Sequence, residues 1–440
     1  DSATANQTPR NRGVQADIGI RLSHRAVGRG VDARARAAMR KDCLRGPRAV
    51  RLRGMPSTAV TWVADPTVLR QFLADAAPRI AMDTEFIRER TYWPQLALVQ
   101  VALEDRDAPA GSPPRDILLL DMLAPGMREA LAPVLADPAV LKVMHSASED
   151  LVAFRHACGV VPESLFDTQV AAALCGIGAG IGYQRLVLEL LGMAVDKGET
   201  RSDWMRRPLS ANQLAYAADD VRHLFALHDA LAARLRTLGR EAWCAEDCAR
   251  LVAGVRDEDG DRWPHLALRS AQFLDDDGRR RLLRLLRWRE AQARRSDLPR
   301  SWVLDNELAT TLAREAPSDR EALQRLLDAH PKAPRKFADA LWTALQQPLA
   351  DEDDAPPPRS DDRDRKALKR LQDAVSSRSA ALGLPDGVLA SRRWLETLLD
   401  GDDWPGPLSG WRRGELQAAL APLLGTTADE VSGDARATSV

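Results

Sequence analysis

The sequence predicts an α/β domain followed by two small all-helical domains. Short apolar runs divided by turns begin at Thr58, and stretches with helical spacing take over after about residue 148. Beyond about residue 255 the strand patterns end, and Leu, Ala and Arg recur at helical intervals to Gln347 and again from Arg365 to Leu424. Strands followed by interleaved helices are typical of an α/β domain, and the two later stretches predict separate helical domains.

Length and composition agree with this division. The 440 residues suggest about three units at roughly 150 residues each, and 45% hydrophobic with 28% charged residues is usual for globular domains. No apolar run approaches the roughly 20 residues that cross a bilayer, and five sparse cysteines argue against a disulfide framework. We therefore expect a cytoplasmic protein with no membrane partner. Because the net charge is −1, any nucleic-acid surface must be local.

The expected boundaries follow from changes in composition. The opening segment is rich in Arg and lacks a hydrophobic period, which predicts disorder, although a transit peptide or a nucleic-acid arm would have a similar composition. Met55, just before the first ordered pattern, is a hypothetical native start. The string DEDDAPPPRSDDRDR predicts an extended linker whose acidic run is solvated. The predicted parts are an Arg-rich extension (1–56), the α/β domain (57–255), the first helical domain (262–348), the linker (349–363), the second helical domain (364–426) and a tail (427–440).

Within the α/β domain the predicted strands are RIAMDTEF, LALVQVAL, DILLLDML and VLKVMHSA. The predicted helices are SEDLVAFRHACG, DTQVAAALCG, GYQRLVLELLG and one long run from Ser210 to Leu238. Ser148 is a candidate N-cap of the first of these, and Ser210 with Gln213 has the spacing of a capping box at the start of the last.

Two carboxylates lie in the first of these strands. Asp83 and Glu85 occupy alternate positions, so they project from one face of the sheet about 7 Å apart along the backbone. Amid apolar neighbours they are costly to desolvate unless they are paired or bound to a cation, which indicates a metal site. The alternative is an edge strand whose carboxylates face solvent.

Two further motifs carry acids. Asp150 falls in the first turn of a helix that directly follows the strand VLKVMH, at the strand end where α/β sheets gather ligands. An acid that only favours the helix dipole is the simpler alternative there. Tyr216 and Asp220 are four residues apart on one helical face, and Asp219 is expected to face solvent. Such pairs also occur on many exposed helices.

Taken together, Asp83, Glu85, Asp150 and Asp220 can converge as oxygen ligands for two hard cations. A site of that kind suits phosphodiester hydrolysis, since one ion lowers the pKa of a water and the other stabilises the leaving oxygen. Tyr216 could orient the water.

These motifs resemble the tyrosine-bearing subgroup of the DEDD exonuclease superfamily and, within it, the ribonuclease D family. The matching blocks are DTEFIRERTYWPQLALVQ, HSASEDLVAF and YAADDVRHL, with similarity over nearly all of 57–240. The resemblance implies an RNase H-like mixed-sheet fold and release of 5′-mononucleotides from RNA 3′ ends, such as those of tRNA precursors, by a monomer. It assigns two Mg²⁺ or Mn²⁺ ions to Asp83, Glu85, Asp150 and Asp220, and the water-positioning role to Tyr216.

The two helical stretches resemble helicase-and-RNase-D C-terminal (HRDC) domains, which implies auxiliary binding of RNA. Trp288 and Trp394, at helical spacing, are expected to be core residues rather than base-stacking platforms. Cys244 and Cys248 share a helix face without a second metal-ligand pair nearby, so structural thiols are expected. Two alternatives to the exoribonuclease stay open: a DNA 3′→5′ exonuclease with the same carboxylates, and an RNA-binding protein that has lost turnover.

Overall fold

A mixed seven-stranded sheet forms the centre of the α/β domain, in the order β1-β2-β5-β4-β3-β6-β7. The computed structural model describes residues 50–52, 58–74, 78–105, 107–109, 111–196, 198–199, 202–257, 260–356, 365–401 and 404–424. The strands are β1 (Val50–Leu52), β2 (Ala59–Val63), β3 (Arg79–Ile87), β4 (Gln95–Leu103), β5 (Asp116–Asp121), β6 (Leu141–Met144) and β7 (Leu165–Asp167).

All four predicted strands are present as β3 to β6, and the sheet has three more. The expectation of disorder before residue 57 is wrong for β1, which pairs antiparallel with β2 as an edge strand. The short strands β1 and β7 were missed because three residues give too little alternation to detect. The rest of the Arg-rich extension and the C-terminal tail lie outside the described residues.

The strand register brings the predicted motifs to one place. β3 and β4 pair antiparallel through the middle of the sheet, and β6 runs parallel to β3 with Ala81 opposite Val143. The chain that leaves β6 after Met144 therefore reaches the part of β3 that carries Asp83 and Glu85.

Eight helices of the α/β domain surround this sheet, where the structure describes it. They are α1 (Pro66–Ala74), α2 (Met127–Ala136), α3 (Ser148–Cys158), α4 (Thr168–Leu174), α5 (Tyr183–Leu191), α6 (Ala211–Arg222), α7 (Leu224–Leu238) and α8 (Glu241–Arg256).

Two predicted helix features need correction and one is confirmed. The run from Ser210 to Leu238 is two helices, α6 and α7, which meet at His223. Ser148 is the first residue of α3 and makes no side-chain cap. The capping box of Ser210 and Gln213 is present as predicted, with both reciprocal hydrogen bonds.

The first helical domain packs around one long helix and contacts the loop after β3. Its helices enclose a core that includes Leu282, Leu308 and Leu341, and Trp288 packs at the edge of that core as predicted. At the contact with the α/β domain, the Trp93 backbone N–H donates to Asp297 Oδ1 (2.9 Å) and the Tyr92 hydroxyl bonds Glu290. Its α-helices are α9 (Asp276–Ser296), α10 (Arg300–Val303), α11 (Asn306–Glu315), α12 (Arg320–Ala329) and α13 (Ala338–Gln346).

The prediction that the acidic run at 351–354 is a solvated linker is wrong for its first two residues, whereas Asp353 and Asp354 are exposed as predicted. Glu352 is buried, and Arg284 Nε donates to its Oε2 at 2.6 Å. Arg287 Nη1 donates to Asp351 Oδ1 at 2.7 Å. A carboxylate pays its desolvation cost only with such partners, so the basic face of α9 holds this segment as the end of the first helical domain.

The second helical domain is not tethered in the way the sequence suggests, because it packs on the α/β domain. Its helices are α14 (Arg365–Leu382), α15 (Asp386–Leu389), α16 (Arg392–Asp400) and α17 (Trp411–Leu420). Its apolar side chains, including Leu371, Leu395 and Leu416, join the core of the α/β domain, and Trp394 packs against that core as predicted.

Directional contacts fix this second domain on α8. The Trp243 and Trp411 rings stack at a centroid distance of 4.4 Å, and Arg412 donates from both terminal nitrogens to Asp247 at 2.5 and 2.8 Å. Gly176 contacts Gly383 so closely that a Cβ on Gly176 would lie 2.4 Å from the Gly383 carbonyl oxygen. The docked geometry therefore requires glycine at that point. Across the described ranges, no helix has the length and hydropathy to span a membrane.

Candidate active site

Three of the predicted carboxylates converge. Oxygen atoms of Asp83, Glu85 and Asp220 all lie within 4.8 Å of one another. β3 presents the first two from one face, and α6 packs across β3, β4 and β5, so its inward face brings Asp220 to the same point. Oxygen ligands on opposite sides of one Mg²⁺ are about 4 Å apart, so the separation suits a shared cation.

Asp150 lies beside this group of three and not within it. It is 7% exposed in the first turn of α3, and its carboxylate accepts a hydrogen bond from the Thr84 hydroxyl. Thr84 separates Asp83 from Glu85 in β3, so this bond joins α3 to the strand that bears the other two acids. Within the described part of the chain, the carboxylate cluster with metal-ligand spacing consists of the other three.

Burial and proximity oppose ionisation of the carboxyl groups at this site. Burial and the nearby Asp220 raise the pKa of Asp83 well above its usual value. Burial, Asp83 and the other acids raise the pKa of Glu85 to about 10, and burial raises that of Asp220 to about 7. Burial and Asp83 also raise the pKa of Asp150. These carboxyl groups resist ionisation next to one another. A divalent cation bound between them would stabilise their charged forms.

Tyr216 lies one turn before Asp220 on α6 and shares a hydrogen bond with it. Burial and the carboxylates Asp220 and Glu85 raise the phenol pKa, so the hydroxyl keeps its proton. Its ring packs near Trp204, at a centroid distance of 6.2 Å, and a Cβ on Gly198 would be 3.4 Å from Tyr216 Cδ2. The segment before α6 therefore supports the phenol from the side.

Asp167 is a site residue that the motifs did not predict. This carboxylate is 2% exposed and accepts backbone N–H bonds at the start of α3 from Ser146 (3.0 Å) and Ala147 (2.8 Å). It also caps α4, where it accepts from the backbone N–H groups of Gln169 and Val170. The backbone of Ser146, in the turn before Asp150, has a φ of 59° and so adopts the left-handed conformation. An Asp directly before a helical pattern was the available signal.

Tyr183 and His145 line a cavity of about 240 Å³ together with Asp83, Tyr216 and Asp220. Neither was a predicted site residue. His145 Nδ1 lies 2.9 Å from the Thr168 hydroxyl, which holds the ring at the edge of the cavity.

The structural expectations for residues near the site fit the contacts. Asp219 forms an ion pair with Arg222, with 2.7 Å between Oδ1 and Nε, and it is not one of the three converging carboxylates. Cys244 and Cys248 are buried thiols, and the Asp167 backbone N–H lies 3.3 Å from Cys248 Sγ.

Comparison with known proteins identifies an exonuclease domain and an HRDC domain in this chain. Residues 60–236 match the 3′-5′ exonuclease family model, and residues 279–345 match the HRDC domain model. The predicted second copy at 364–426 stays a prediction. The chain is 58% identical over 365 residues to ribonuclease D from Xanthomonas oryzae pv. oryzae, an alignment that covers 82% of this chain and 98% of that protein.

More distant relatives agree over most of the chain. Ribonuclease D from Pseudomonas paraeruginosa is 35% identical, covering 83% of this chain and 97% of that protein. The structure of Escherichia coli RNase D, described as an exoribonuclease involved in structured RNA processing, superposes with a TM-score of 0.71 and 30% identity, covering 83% of this chain and 98% of that one.

Proposed function

The chain belongs to the ribonuclease D family and is a 3′→5′ exoribonuclease, and from that premise we propose which residues act and on what RNA. The family uses divalent metal ions and acts on RNA. The finer proposal is that two Mg²⁺ or Mn²⁺ ions bind through Asp83, Glu85 and Asp220, with Asp150 as the fourth ligand. The observation that carries it is the convergence of the first three carboxylates within 4.8 Å.

The donor set fits these ions on chemical grounds. All four side chains offer hard oxygen ligands, and mutual repulsion with burial suppresses their ionisation until a cation is present. When bound, the ions supply a water of lowered pKa and stabilise negative charge at the reacting phosphate. In the reaction a water oxygen bonds to phosphorus, the bond from phosphorus to the 3′ oxygen breaks, and that oxygen takes a proton.

Tyr216 serves to orient the attacking water. Its hydroxyl remains protonated and borders the same cavity as Asp83 and Asp220, so it can donate to or accept from a water held there. The packing of Trp204 and Gly198 against the ring limits where the hydroxyl can point. A fixed hydroxyl lowers the orientational freedom of the water before reaction.

The proposed substrates are 3′ ends of structured RNA, with tRNA precursors as the first candidates. The Escherichia coli relative acts in structured RNA processing, and the alignment with it extends through the helical domains. The proposal includes action as a monomer in the cytoplasm, as the family resemblance implies.

The test is release of a labelled 3′-terminal nucleotide from a tRNA with extra 3′ residues, in Mg²⁺, Mn²⁺ or chelator. Asp83→Asn should abolish release, while Asp219→Asn should retain it, because Asp219 pairs with Arg222 and is not one of the three converging carboxylates. Asp219 is a matched control, since it neighbours Asp220 on the same helix.

Each contrary outcome has a definite meaning. Equal shortening of DNA and RNA strands would favour the DNA exonuclease. Tight RNA binding without release in either ion would favour the non-catalytic protein. Full turnover of Asp83→Asn would refute the site.

A further inference from the structure

The junction between α6 and α7 has an unusual hydrogen-bond arrangement. In a continuous α-helix the His223 N–H would donate to the Asp219 carbonyl four residues earlier. Here the Tyr183 hydroxyl lies between them: it donates to Asp219 O at 2.8 Å and accepts from His223 N at 3.2 Å. A side chain inserted into the hydrogen-bond ladder is a recognised cause of a helix break, and α6 ends at Arg222.

The inserted hydroxyl lies at the turn that carries Asp220. Asp220 is the next residue after the carbonyl that Tyr183 bonds, and it lies within the turn that the bridge spans. Without the hydroxyl, the part-buried Asp219 carbonyl would lose this donor and the His223 N–H would keep only its bond to the Val221 carbonyl, or the two helices would realign to restore their direct bond. Realignment would rotate Asp220 relative to Asp83 and Glu85, which are fixed in β3.

Tyr183 is itself held in place. It is the first residue of α5, and its ring packs edge-on to His145 at a centroid distance of 5.8 Å. Burial raises the pKa of the phenol well above its usual value, so the hydroxyl has a proton to donate to the Asp219 carbonyl. It also borders the cavity that Asp83, Tyr216 and Asp220 line.

We propose that Tyr183 is a positioning residue for metal binding: its hydroxyl bridges Asp219 and His223 and thereby sets the direction of the Asp220 carboxylate. The inference rests on the proposed role of Asp220 as a metal ligand. Tyr216 and Tyr183 then have separate tasks. Tyr216 acts on the reacting water, and Tyr183 acts on the ligand through the backbone.

The test measures binding of Mn²⁺ alone to the full chain, from the loss of the free-ion electron paramagnetic resonance signal. Groups that orient metal ligands typically contribute about 10–100-fold to affinity. Tyr183→Phe keeps the ring and removes the hydroxyl, so it should weaken Mn²⁺ binding at least about tenfold and raise the Mn²⁺ concentration for half-maximal turnover, with KM for RNA little changed.

Tyr92→Phe is the matched control for loss of a hydrogen-bonded phenol. Tyr92 contacts Glu290 at the boundary with the first helical domain, so its loss should lower stability without weakening Mn²⁺ binding. Comparable loss of Mn²⁺ affinity in both variants would overturn the proposal in favour of a general effect on stability. In an Asp220→Asn background, Tyr183→Phe should produce little further loss.

The outcomes distinguish failure of the metal site from failure of the Tyr183 bridge. If Asp220→Asn binds Mn²⁺ like the unmodified chain, the proposed metal site fails. If Asp220→Asn loses Mn²⁺ and Tyr183→Phe does not, the metal site stands and only the inference about Tyr183 is refuted.

Discussion

Replacing Asp220 by Asn should stabilise the metal-free protein while it abolishes turnover. The carboxylate lies within 4.8 Å of two other acids and has its pKa raised to about 7 by burial. In chelator at pH 8 it must ionise in a site that opposes ionisation. Asn has nearly the same shape and stays neutral, so the variant avoids that cost and loses a metal ligand.

The magnitude follows from the difference between the folded and unfolded pKa values. The change from 3.8 to about 7 is roughly three units, which at 1.36 kcal/mol per unit amounts to about 4 kcal/mol. The pKa of Asp220 is higher in the folded protein than in the unfolded chain. The folded protein therefore keeps its full stability below pH 3.8, where Asp220 is protonated in both states, and loses about 4 kcal/mol as the pH rises through about 7. Loss of the hydrogen bond between the Asp220 carboxylate and Tyr216 offsets part of the gain, so we expect about 2 kcal/mol net.

The assay is thermal unfolding in chelator from pH 5 to pH 8, with matched samples in Mg²⁺. A gain of about 2 kcal/mol corresponds to a Tm roughly 4–8 °C higher for a domain of this size. The advantage of Asp220→Asn should grow with pH in chelator and shrink or reverse in Mg²⁺, which stabilises only a protein that binds it. A variant equally or less stable at pH 8 in chelator would refute the electrostatic account of the site.

Three further predictions concern single contacts. Tyr216→Phe should lower kcat on the order of 10²-fold, less than loss of a carboxylate ligand; an unchanged kcat in single-turnover assays would remove it from the mechanism. Asp167→Asn should destabilise by about 2–4 kcal/mol, since it weakens charge-assisted bonds at two helix starts. Urea unfolding measures this loss, and an unchanged midpoint would contradict it. Gly176→Ala should lower the free energy of unfolding by about 1–3 kcal/mol more than Gly180→Ala does. Both glycines have a positive φ, but a Cβ on Gly180 would have no neighbour within 4 Å. Equal losses in the two would show that contact with Gly383 is not limiting.

The four central strands, and the shared faces on which Asp83, Glu85 and Asp220 converge, could be predicted because their signals are local. Alternation around Asp83 and Glu85 fixes a common face, and the spacing of Tyr216 and Asp220 fixes a common side of α6. The family resemblance then supplies what spacing cannot, namely that strands and helices far apart in sequence bring these faces together.

The features that were missed depend on contacts between distant segments. Nothing near 351–354 indicates that Arg284 lies opposite Glu352, because that pair is 68 residues apart. In the same way, the hydroxyl that accepts from His223 at the helix break belongs to a tyrosine 40 residues earlier. A pattern within one segment cannot report a partner in another, so tertiary contacts overrode the expected solvation of Asp351 and Glu352 and the expected single long helix.

The stacking of Trp411 on Trp243 has a consequence for how the chain acquires its fold. The Trp411 backbone N–H also donates to Glu246, a residue 165 positions earlier, so the face of α8 that carries Trp243 stays uncovered until a much later part of the chain has been synthesised. At about 5–20 residues per second the ribosome needs on the order of ten seconds or more to make that stretch. During this interval an apolar face with an aromatic ring is open to chaperones and to other nascent chains. A truncation that removes residues 365–424 would make that exposure permanent, so we expect such a fragment to aggregate rather than to behave as a smaller nuclease.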